Sequence, residues 1–212
     1  MKKILLLLLA MFMMSGCGNS AQEKSPVETE KALAAPSTAD KKILVVYFSR
    51  TGEEYGLGNI TKGNTAIVAD IIAQKVGADI FEIKPATPYP DNYDACLEFV
   101  KKELESNARP AIVGNVDNFA QYDTIFIGYP IWHAEFPRII LTFIESNDFN
   151  GKTIIPFCTH AGSGLAGTER ELKEICPNSK VLDGLAIIGK TAQNDSAAAQ
   201  KDINEWLKTL GY

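Results

Sequence analysis

The chain has 212 residues, a formal net charge of −5 and 46% apolar residues, a composition that fits one globular domain better than several. The mild excess of acidic side chains argues against a surface that binds nucleic acid. With only two histidines, His133 and His160, and no closely spaced cysteine pair, the chain lacks the ligand pattern of a structural zinc site, so no metal is expected.

The N-terminus has the features of an export signal. Residues 1–3 are basic, residues 4–14 are apolar and too few to span a bilayer as a helix, and small residues precede Cys17. This ending resembles a bacterial lipoprotein signal, which implies lipidation of Cys17 and a membrane anchor; a secretory signal with an incidental cysteine is the alternative. Residues 18–40 are polar and predict a disordered tether between that signal and a domain over residues 41–212.

Three further cysteines, Cys96, Cys158 and Cys176, are expected to be buried thiols. Exported proteins often form disulfides, but an odd number leaves at least one thiol free. Cys158 lies at the end of a predicted strand and Cys176 at the far end of the following helix, so we expect them at opposite edges of the sheet, too far apart to bridge.

Within the predicted domain, apolar strands alternate with amphipathic helices. Helical spacing of apolar residues predicts five helices, of which one ends at Gly77 and others begin at Asp91 or Asn92, near Pro137, and at Thr168. Thr168 and Glu171 have the spacing of a capping box. The predicted strands comprise residues 43–48, 80–83, 122–128, 153–158 and 181–188.

This alternation indicates an α/β fold with one parallel sheet between two layers of helices. Strands that are apolar along their whole length are buried on both faces, and helical connections between them make them parallel. Such sheets bind ligands beyond the carboxyl ends of their strands. Unusual loops, residues 49–52, 129–135 and 159–164, follow the first, third and fourth strands. By analogy we take the strand order as 2-1-3-4-5, which makes these three strands neighbours.

The first loop has the composition of an anion site. Ser49, Arg50, Thr51 and Gly52 follow the first strand, and Gly63-Asn64-Thr65 opens the next helix. The amide groups of a helix N-terminus lack intrahelical partners and carry a partial positive charge, and hydroxyls add donors, so a phosphate would bind here without a lysine. The alternative is an ordinary strand–helix turn with surface hydroxyls.

Taken together, the three loops resemble those of flavodoxins, and the resemblance covers residues 41–212. Residues 47–52 with 63–65 resemble the phosphate loop, residues 128–133 the loop with an aromatic ring beside the flavin, and residues 157–164 the third flavin loop. The resemblance implies a flavodoxin-like three-layer sandwich and an FMN site formed by Ser49, Arg50, Thr51, Gly52, Asn64, Thr65, Pro130, Ile131, Trp132, His133, Thr159, His160, Gly162, Ser163 and Gly164.

The resemblance also implies roles within that site. The backbone from Pro130 to Trp132 would meet the pyrimidine edge of the flavin, and the Trp132 indole would stack on the ring; alternatively, this tryptophan belongs to the core or an interface. His133 or His160 would supply a hydrogen bond or a proton near neutral pH, unless these are surface or structural histidines.

One departure from the flavodoxin pattern is the insertion of residues 53–63 into the phosphate loop, which we interpret as a flap. Because carboxylates next to a phosphate would repel it, Glu53 and Glu54 are predicted to point away from the site or to contact a partner. No long insertion divides the predicted last strand, so the chain is similar to short-chain flavodoxins.

Three functions remain open from the sequence. The first is an exported, membrane-tethered FMN protein that passes electrons to a redox partner protein or a small-molecule acceptor. The second is an FMN-dependent NAD(P)H or quinone oxidoreductase on the same fold. The third is a protein that binds another phosphorylated ligand without redox chemistry. A serine hydrolase is disfavoured because Gly162-Ser163-Gly164 lacks the Gly-x-Ser-x-Gly elbow.

Overall fold

The structure is a computed structural model, and it describes residues 42–212. The predicted signal peptide, Cys17 and the tether over residues 18–40 therefore lie outside the described residues. Within residues 42–212, none of the helices combines the length and the hydrophobicity that crossing a membrane requires.

The described part of the chain forms ten strands and six α-helices. The strands are β1 (Ile43–Tyr47), β2 (Gly52–Glu54), β3 (Gly58–Ile60), β4 (Asp79–Glu82), β5 (Lys84–Pro85), β6 (Ile112–Val113), β7 (Thr124–Pro130), β8 (Thr153–His160), β9 (Lys180–Val181) and β10 (Leu185–Ile188). The helices are α1 (Asn64–Val76), α2 (Tyr93–Glu105), α3 (Arg138–Glu145), α4 (Thr168–Ile175), α5 (Gly189–Asn194) and α6 (Ser196–Leu210).

The central sheet confirms the predicted strand order. Its five main strands run β4-β1-β7-β8-β10, and every neighbouring pair is parallel. This is the order 2-1-3-4-5 along the chain. Val45 of β1 aligns with Ile80 on one side and Phe126 on the other, so the carboxyl ends of β1, β7 and β8 meet at one edge.

The helices cover both faces of the sheet because the central strands are apolar on both sides. Val45 and Val46, which are adjacent and point to opposite faces, are both fully buried. Val45 packs with residues of α1 and α6, including Ile72 and Ile203, in one hydrophobic cluster. Val46 packs in the other cluster with residues of α2, α3 and α4. Hence α1 and α2 lie on opposite faces of the sheet.

The predicted last strand is divided in two, with β9 and β10 separated by residues 182–184. Side chains satisfy the backbone at the break: Trp206 Nε1 donates to the Asp183 carbonyl at 3.0 Å, and the Gly184 amide donates to Glu169 Oε1 at 2.6 Å. A Cβ at Gly184 would lie 2.9 Å from the Pro156 carbonyl oxygen. The short helix α5, which apolar spacing did not predict, follows β10 directly.

The helix starts agree with the sequence in two cases and differ in one. The Asn92 side chain caps α2 by accepting from the Ala95 amide at 3.0 Å, and Pro137 immediately precedes α3. The predicted capping box at Thr168 is wrong, because Gly167 occupies the cap position of α4 with φ +85°.

The Thr168 hydroxyl has buried partners instead. It accepts from the Tyr129 hydroxyl at 2.9 Å and donates to the Leu165 carbonyl at 2.7 Å. Cys96, Cys158 and Cys176 are buried free thiols, as the sequence predicted.

Candidate functional site

A cavity of about 380 Å³ opens at the carboxyl edge of the sheet. It lies where the sequence places the three loops, and its volume falls in the range of about 300–1,000 Å³ that small-molecule sites occupy. Ten of the predicted site residues line it: Ser49, Arg50, Asn64, Thr65, Pro130, Ile131, Trp132, His133, Thr159 and His160.

The start of α1 forms a backbone cradle, which we call the α1 cradle and define as Ser49, Gly63, Asn64 and Thr65. The first intrahelical bond runs from the Ile67 amide to the Gly63 carbonyl at 3.2 Å, so the amides of Asn64, Thr65 and Ala66 have no helical acceptor. Ser49 Oγ accepts from the Ala66 amide at 3.2 Å. The amides of Asn64 and Thr65 are left to bind an anion at the positive end of the helix.

The α1 cradle depends on close approach between two segments of the loop. A Cβ at Gly63 would overlap both Ser49 Oγ and the Arg50 carbonyl oxygen, so a side chain here would push the two segments apart. On the far side, the buried hydroxyls of Thr65 and Thr159 share a hydrogen bond of 2.8 Å. This bond ties the beginning of α1 to the end of β8 and fixes the cradle in the sheet.

Asn64, which lines the cavity, has an unpaired acceptor. Its side-chain oxygen Oδ1 is buried, and no donor within residues 42–212 reaches it. The side-chain amide of Asn64 packs against Gly189, because a Cβ added at Gly189 would sit 2.5 Å from Asn64 Nδ2. Because an orphaned buried oxygen costs free energy, about 1–3 kcal/mol for a typical polar group, a ligand hydroxyl or N–H at this point would be stabilising.

Arg50 acts mainly as a brace. Its Nη1 atom donates to the carbonyls of Pro90 and Asp91 at 2.9 and 3.1 Å, and Nη2 donates to the carbonyl of Glu53. The side chain is only 7% exposed and lies 3.9 Å from the Glu54 carboxylate. Arg50 therefore holds the β2–β3 hairpin against the loop before α2, while its remaining buried surface lines the cavity.

The loop after β7 presents Trp132 to the cavity. The Ile131 amide donates to the Thr159 carbonyl at 2.8 Å, and Trp132 and Glu135 exchange two backbone hydrogen bonds of 2.9 Å. The two residues between them, His133 and Ala134, have φ values of +48° and +63°. Left-handed backbone costs a residue with a Cβ roughly 1–2 kcal/mol, so this tight turn is strained.

An aromatic cluster supports the indole of Trp132. The rings of Phe48 and Tyr89 lie 5.4 and 5.2 Å from it, at interplanar angles of 86° and 68°. The Tyr89 hydroxyl donates to Glu103 Oε2 at 3.0 Å inside the protein, and burial raises the pKa of the Glu103 carboxyl. The indole therefore packs partly against the hydrophobic cluster that contains Phe48 and Tyr89, and its remaining surface lines the cavity, as a stacking role requires.

The two histidines differ in environment. His133 is exposed, with Nε2 at 3.4 Å from the Leu97 carbonyl. His160 Nδ1 accepts from the amides of Gly162 and Gly164 at 2.9 and 3.1 Å, so its neutral ring carries the proton on Nε2. Burial lowers the pKa of His160. In this tautomer the ring has its Nε2–H group available as a hydrogen-bond donor.

The structure does not bring five predicted residues to the cavity. The side chains of Thr51 and Ser163 are exposed, and neither residue lines the cavity. Gly52 allows close packing of the hairpin, since a Cβ there would lie 2.8 Å from the Asp91 carbonyl oxygen. Gly162 and Gly164 donate their amides to His160. These glycines shape the loops behind the site.

The inserted segment is a two-stranded hairpin, β2–β3, and its two carboxylates behave differently. Glu53 points away from the cavity, as predicted: its Oε2 accepts from Asn92 Nδ2 at 2.7 Å and the Tyr93 amide at 3.1 Å, at the positive end of α2. The prediction is wrong for Glu54, which lines the cavity beside Arg50. Burial raises the pKa of the Glu54 carboxyl, and the Arg50 charge opposes that rise.

Sequence patterns missed a whole side of the cavity. The apolar stripe of α2 predicted core residues, and the same stripe also reaches the cavity because this end of α2 lies at the carboxyl edge of the sheet. No sequence signal distinguishes the two environments. The residues missed are Glu54, Tyr55, Gly56, Leu57, Cys96, Leu97, Val100, Ala161, Ile188, Gly189 and Lys190.

Comparison with known proteins identifies the family. A flavodoxin family model matches residues 42–210, whereas no curated protein matches the chain. Crystal structures of candidate flavoproteins from Bacteroides eggerthii and Bacteroides uniformis are each 34% identical to this chain. They have TM-scores of 0.65 and 0.64, and the matches cover 81% and 79% of this chain and 98% of each relative.

A more distant structure, a flavoprotein from Lactobacillus acidophilus in complex with FMN, shares the fold. It is 19% identical with a TM-score of 0.57, and the match covers 72% of this chain and 97% of that one. The family match spans most of the chain, and the fold, the strand order and the loops at the carboxyl edge agree with it. The chain belongs to the flavodoxin family.

Proposed function

We propose that this protein binds FMN at the carboxyl edge of its sheet and acts in electron transfer. The observation that carries the proposal is the presence of two different recognition elements in one cavity. The α1 cradle offers free helix N-terminal amides for a phosphate, and the end of the neighbouring strand β7 offers a supported indole for a planar ring.

The residues present fit FMN in hydrogen bonding, and the free amides at the start of α1 suit its phosphate. Ser49, Asn64 and Thr65 would hold the phosphate, and a ribityl hydroxyl would satisfy the orphaned Asn64 oxygen. The backbone of residues 130–132 and the Nε2–H of His160 would contact the ring edge. When bound, FMN supplies transfer of one or two electrons.

Titration of the full chain with FMN tests this proposal. We expect quenching of flavin fluorescence on binding, and a Kd raised about 10-fold or more by Ser49→Ala or Trp132→Ala, which corresponds to about 1.4 kcal/mol or more. Ser196→Ala is the matched control, because Ser196 is exposed and does not line the cavity, and it should change the Kd by less than about 2-fold. A chain that does not bind FMN would favour another phosphorylated ligand.

Export and lipid anchoring through Cys17 are a second part of the proposal. The basic residues 1–3, the apolar residues 4–14 and the small residues before Cys17 support it. Cell fractionation and metabolic labelling with a radioactive fatty acid should find the protein labelled in the membrane fraction. The variant Cys17→Ser should be unlabelled, and an equally labelled variant would contradict lipidation at this residue.

An FMN-dependent NAD(P)H or quinone oxidoreductase is the second candidate. It is favoured by the hairpin, whose residues Glu54 to Leu57 line the cavity and add an enclosed space that a simple carrier does not need. Steady-state oxidation of NADPH with a quinone acceptor by the purified chain would support the enzyme. Rapid reduction by a separate reductase, without turnover of NADPH alone, would support the carrier.

A further inference from the structure

The cavity continues across the edge of the sheet to the face opposite the α1 cradle. Helix α1 packs in one hydrophobic cluster and α2 in the other, on opposite faces. The cradle is at the beginning of α1, yet α2 and the hairpin also line the cavity. We call this second part the flap chamber and define it by Tyr55, Leu57, Tyr93, Cys96, Leu97 and Val100.

The flap chamber has an aromatic and apolar lining. Cys96 and Val100 are buried and belong to the hydrophobic cluster behind α2, while Leu57 and Leu97 are half-buried. The rings of Tyr55 and Tyr93 lie 5.9 Å apart, with an interplanar angle of 40°. Tyr55 is 65% exposed although it is a large aromatic residue. Such a surface gains free energy when a planar apolar ligand covers it.

Hydrogen bonds from distant segments hold the hairpin over the chamber. Glu53 binds the start of α2 through its carboxylate, and the Glu53 amide donates to the Asp91 carbonyl at 2.7 Å. The Arg50 guanidinium joins the Glu53 and Pro90 carbonyls. These bonds preform the chamber, which lowers the ordering cost of binding a ligand there.

The electrostatics of the chamber select against an anion. Glu54 lies at its border, and the ionisable groups that face this carboxyl are Arg50, Tyr55, Tyr93 and Cys96. Burial favours the protonated carboxyl, and Arg50 at 3.9 Å neutralises the ionised form. When Glu54 is ionised, the pair has no net charge. When Glu54 is protonated, the charge of Arg50 remains, but its Nη atoms already donate to the carbonyls of Pro90, Asp91 and Glu53. The Glu54 carboxyl offers one polar contact.

We propose that the flap chamber is a binding site for an uncharged aromatic compound of about two fused rings that carries one polar group. The rings would pack on Tyr55, Tyr93 and Leu97, and the polar group would meet Glu54. The inference depends on the proposed function only for the ligand's position next to the cofactor, since binding to the chamber itself uses residues outside the α1 cradle.

Calorimetric titration of the full chain, with and without FMN, tests this proposal. The probe is 2-naphthamide, and 2-naphthoate is its anionic match of nearly the same size. We expect the amide to bind at least about 10-fold more tightly than the carboxylate, and FMN to leave the affinity for the amide unchanged within about 3-fold. Equal affinity for both probes, or competition between the amide and FMN, would overturn the inference.

Variants assign the binding to the chamber. Tyr55→Ala removes an exposed ring and should lower the affinity for 2-naphthamide about 10-fold. Tyr212→Ala, which removes an exposed tyrosine outside the cavity, should leave this affinity unchanged. Glu54→Gln leaves Arg50 without its carboxylate, so 2-naphthoate should gain affinity relative to the amide. Circular dichroism checks that each variant is folded. Unchanged affinity in Tyr55→Ala would contradict the site.

The two proposals fail in different ways. If FMN does not bind but 2-naphthamide does, the flap chamber stands and the proposed cofactor is wrong. If FMN binds with the expected dependence on Ser49 and Trp132 while 2-naphthamide does not bind, the cofactor site stands and the chamber inference is wrong.

Discussion

The α1 cradle and the flap chamber share one cavity but are built in opposite ways. The cradle is polar, uses backbone amides, and combines residues within a stretch of the chain from Ser49 to Thr65. The chamber is apolar, uses side chains, and requires contact between the hairpin and α2, about 40 residues apart. The contrast shows how an insertion can add a second recognition surface without changing the anion site, and each part should respond to its own mutations.

The largest effect is expected from Gly63→Ala, which should damage the α1 cradle. The added Cβ overlaps Ser49 Oγ and the Arg50 carbonyl oxygen, so the loop must open. Overpacking of this kind costs about 3 kcal/mol of unfolding free energy. We expect the Kd for FMN to rise at least about 100-fold, measured by flavin fluorescence, with urea denaturation reporting stability.

The control for Gly63→Ala is Gly151→Ala, at a distant turn with open space around it and φ +74°. Its cost should be about 1 kcal/mol, from left-handed backbone alone, with FMN binding intact. If both variants lose FMN equally, general destabilisation and not the cradle explains the loss.

A smaller effect on the other region is expected from Glu53→Ala. This change removes two hydrogen bonds and the negative charge at the start of α2, and it should cost about 1–2 kcal/mol of unfolding free energy. Affinity for 2-naphthamide should fall several-fold while affinity for FMN changes by less than about 2-fold. Glu98→Ala, an exposed position on α2, is the control. Loss of both ligands would mean that cradle and chamber are one unit.

Acid pH should weaken the loop after β8 through His160. Because burial holds the pKa of folded His160 below its ordinary value of 6.5, the unfolded chain takes up the proton first. The stabilisation by neutral His160 is therefore complete above about pH 6.5, and it is lost as the pH falls through the lower pKa that His160 has in the folded protein.

Protonation would also remove the acceptor for the Gly162 and Gly164 amides. Urea denaturation between pH 8 and 5 should show that the free energy of unfolding of His160→Gln lacks this part of the pH dependence. Near neutral pH, the variant should be less stable than the native chain by about 1 kcal/mol. His133→Gln, at the exposed histidine, should retain it. If the free energy of unfolding changes with pH to the same extent in both variants and in the native chain, the role of His160 is contradicted.

The smallest effect concerns the strained turn that presents Trp132. Ala134→Gly removes a Cβ at φ +63° and should raise the unfolding free energy by about 0.5–1 kcal/mol, after the greater chain entropy of glycine is included. Ala197→Gly in α6 should instead lower it by a similar amount. If Ala134→Gly also destabilises, the turn is not strained as its dihedral angles indicate.

The sequence by itself determined the parts of this protein that depend on near neighbours. Apolar strands alternating with amphipathic helices specify a parallel sheet, and the residues from Ser49 to Thr65 specify a helix N-terminus that is ready for an anion. These signals are local, because hydrophobic period and helix capping involve residues a few positions apart. Strand order came from analogy, and the sheet pairing confirmed it.

Only the tertiary structure decided which side chains face the cavity. The stripe of α2 is apolar whether it meets the core or a ligand, so its composition does not reveal that Leu97 and Val100 line the site. Glu53 and Glu54 are adjacent in sequence, yet strand geometry directs one to α2 and the other to Arg50. The spacing of Thr168 and Glu171 predicted a cap, but the buried Tyr129 hydroxyl binds Thr168 instead. At Thr168 a long-range contact outweighed the local preference, because burial of side chains contributes more free energy than a single cap.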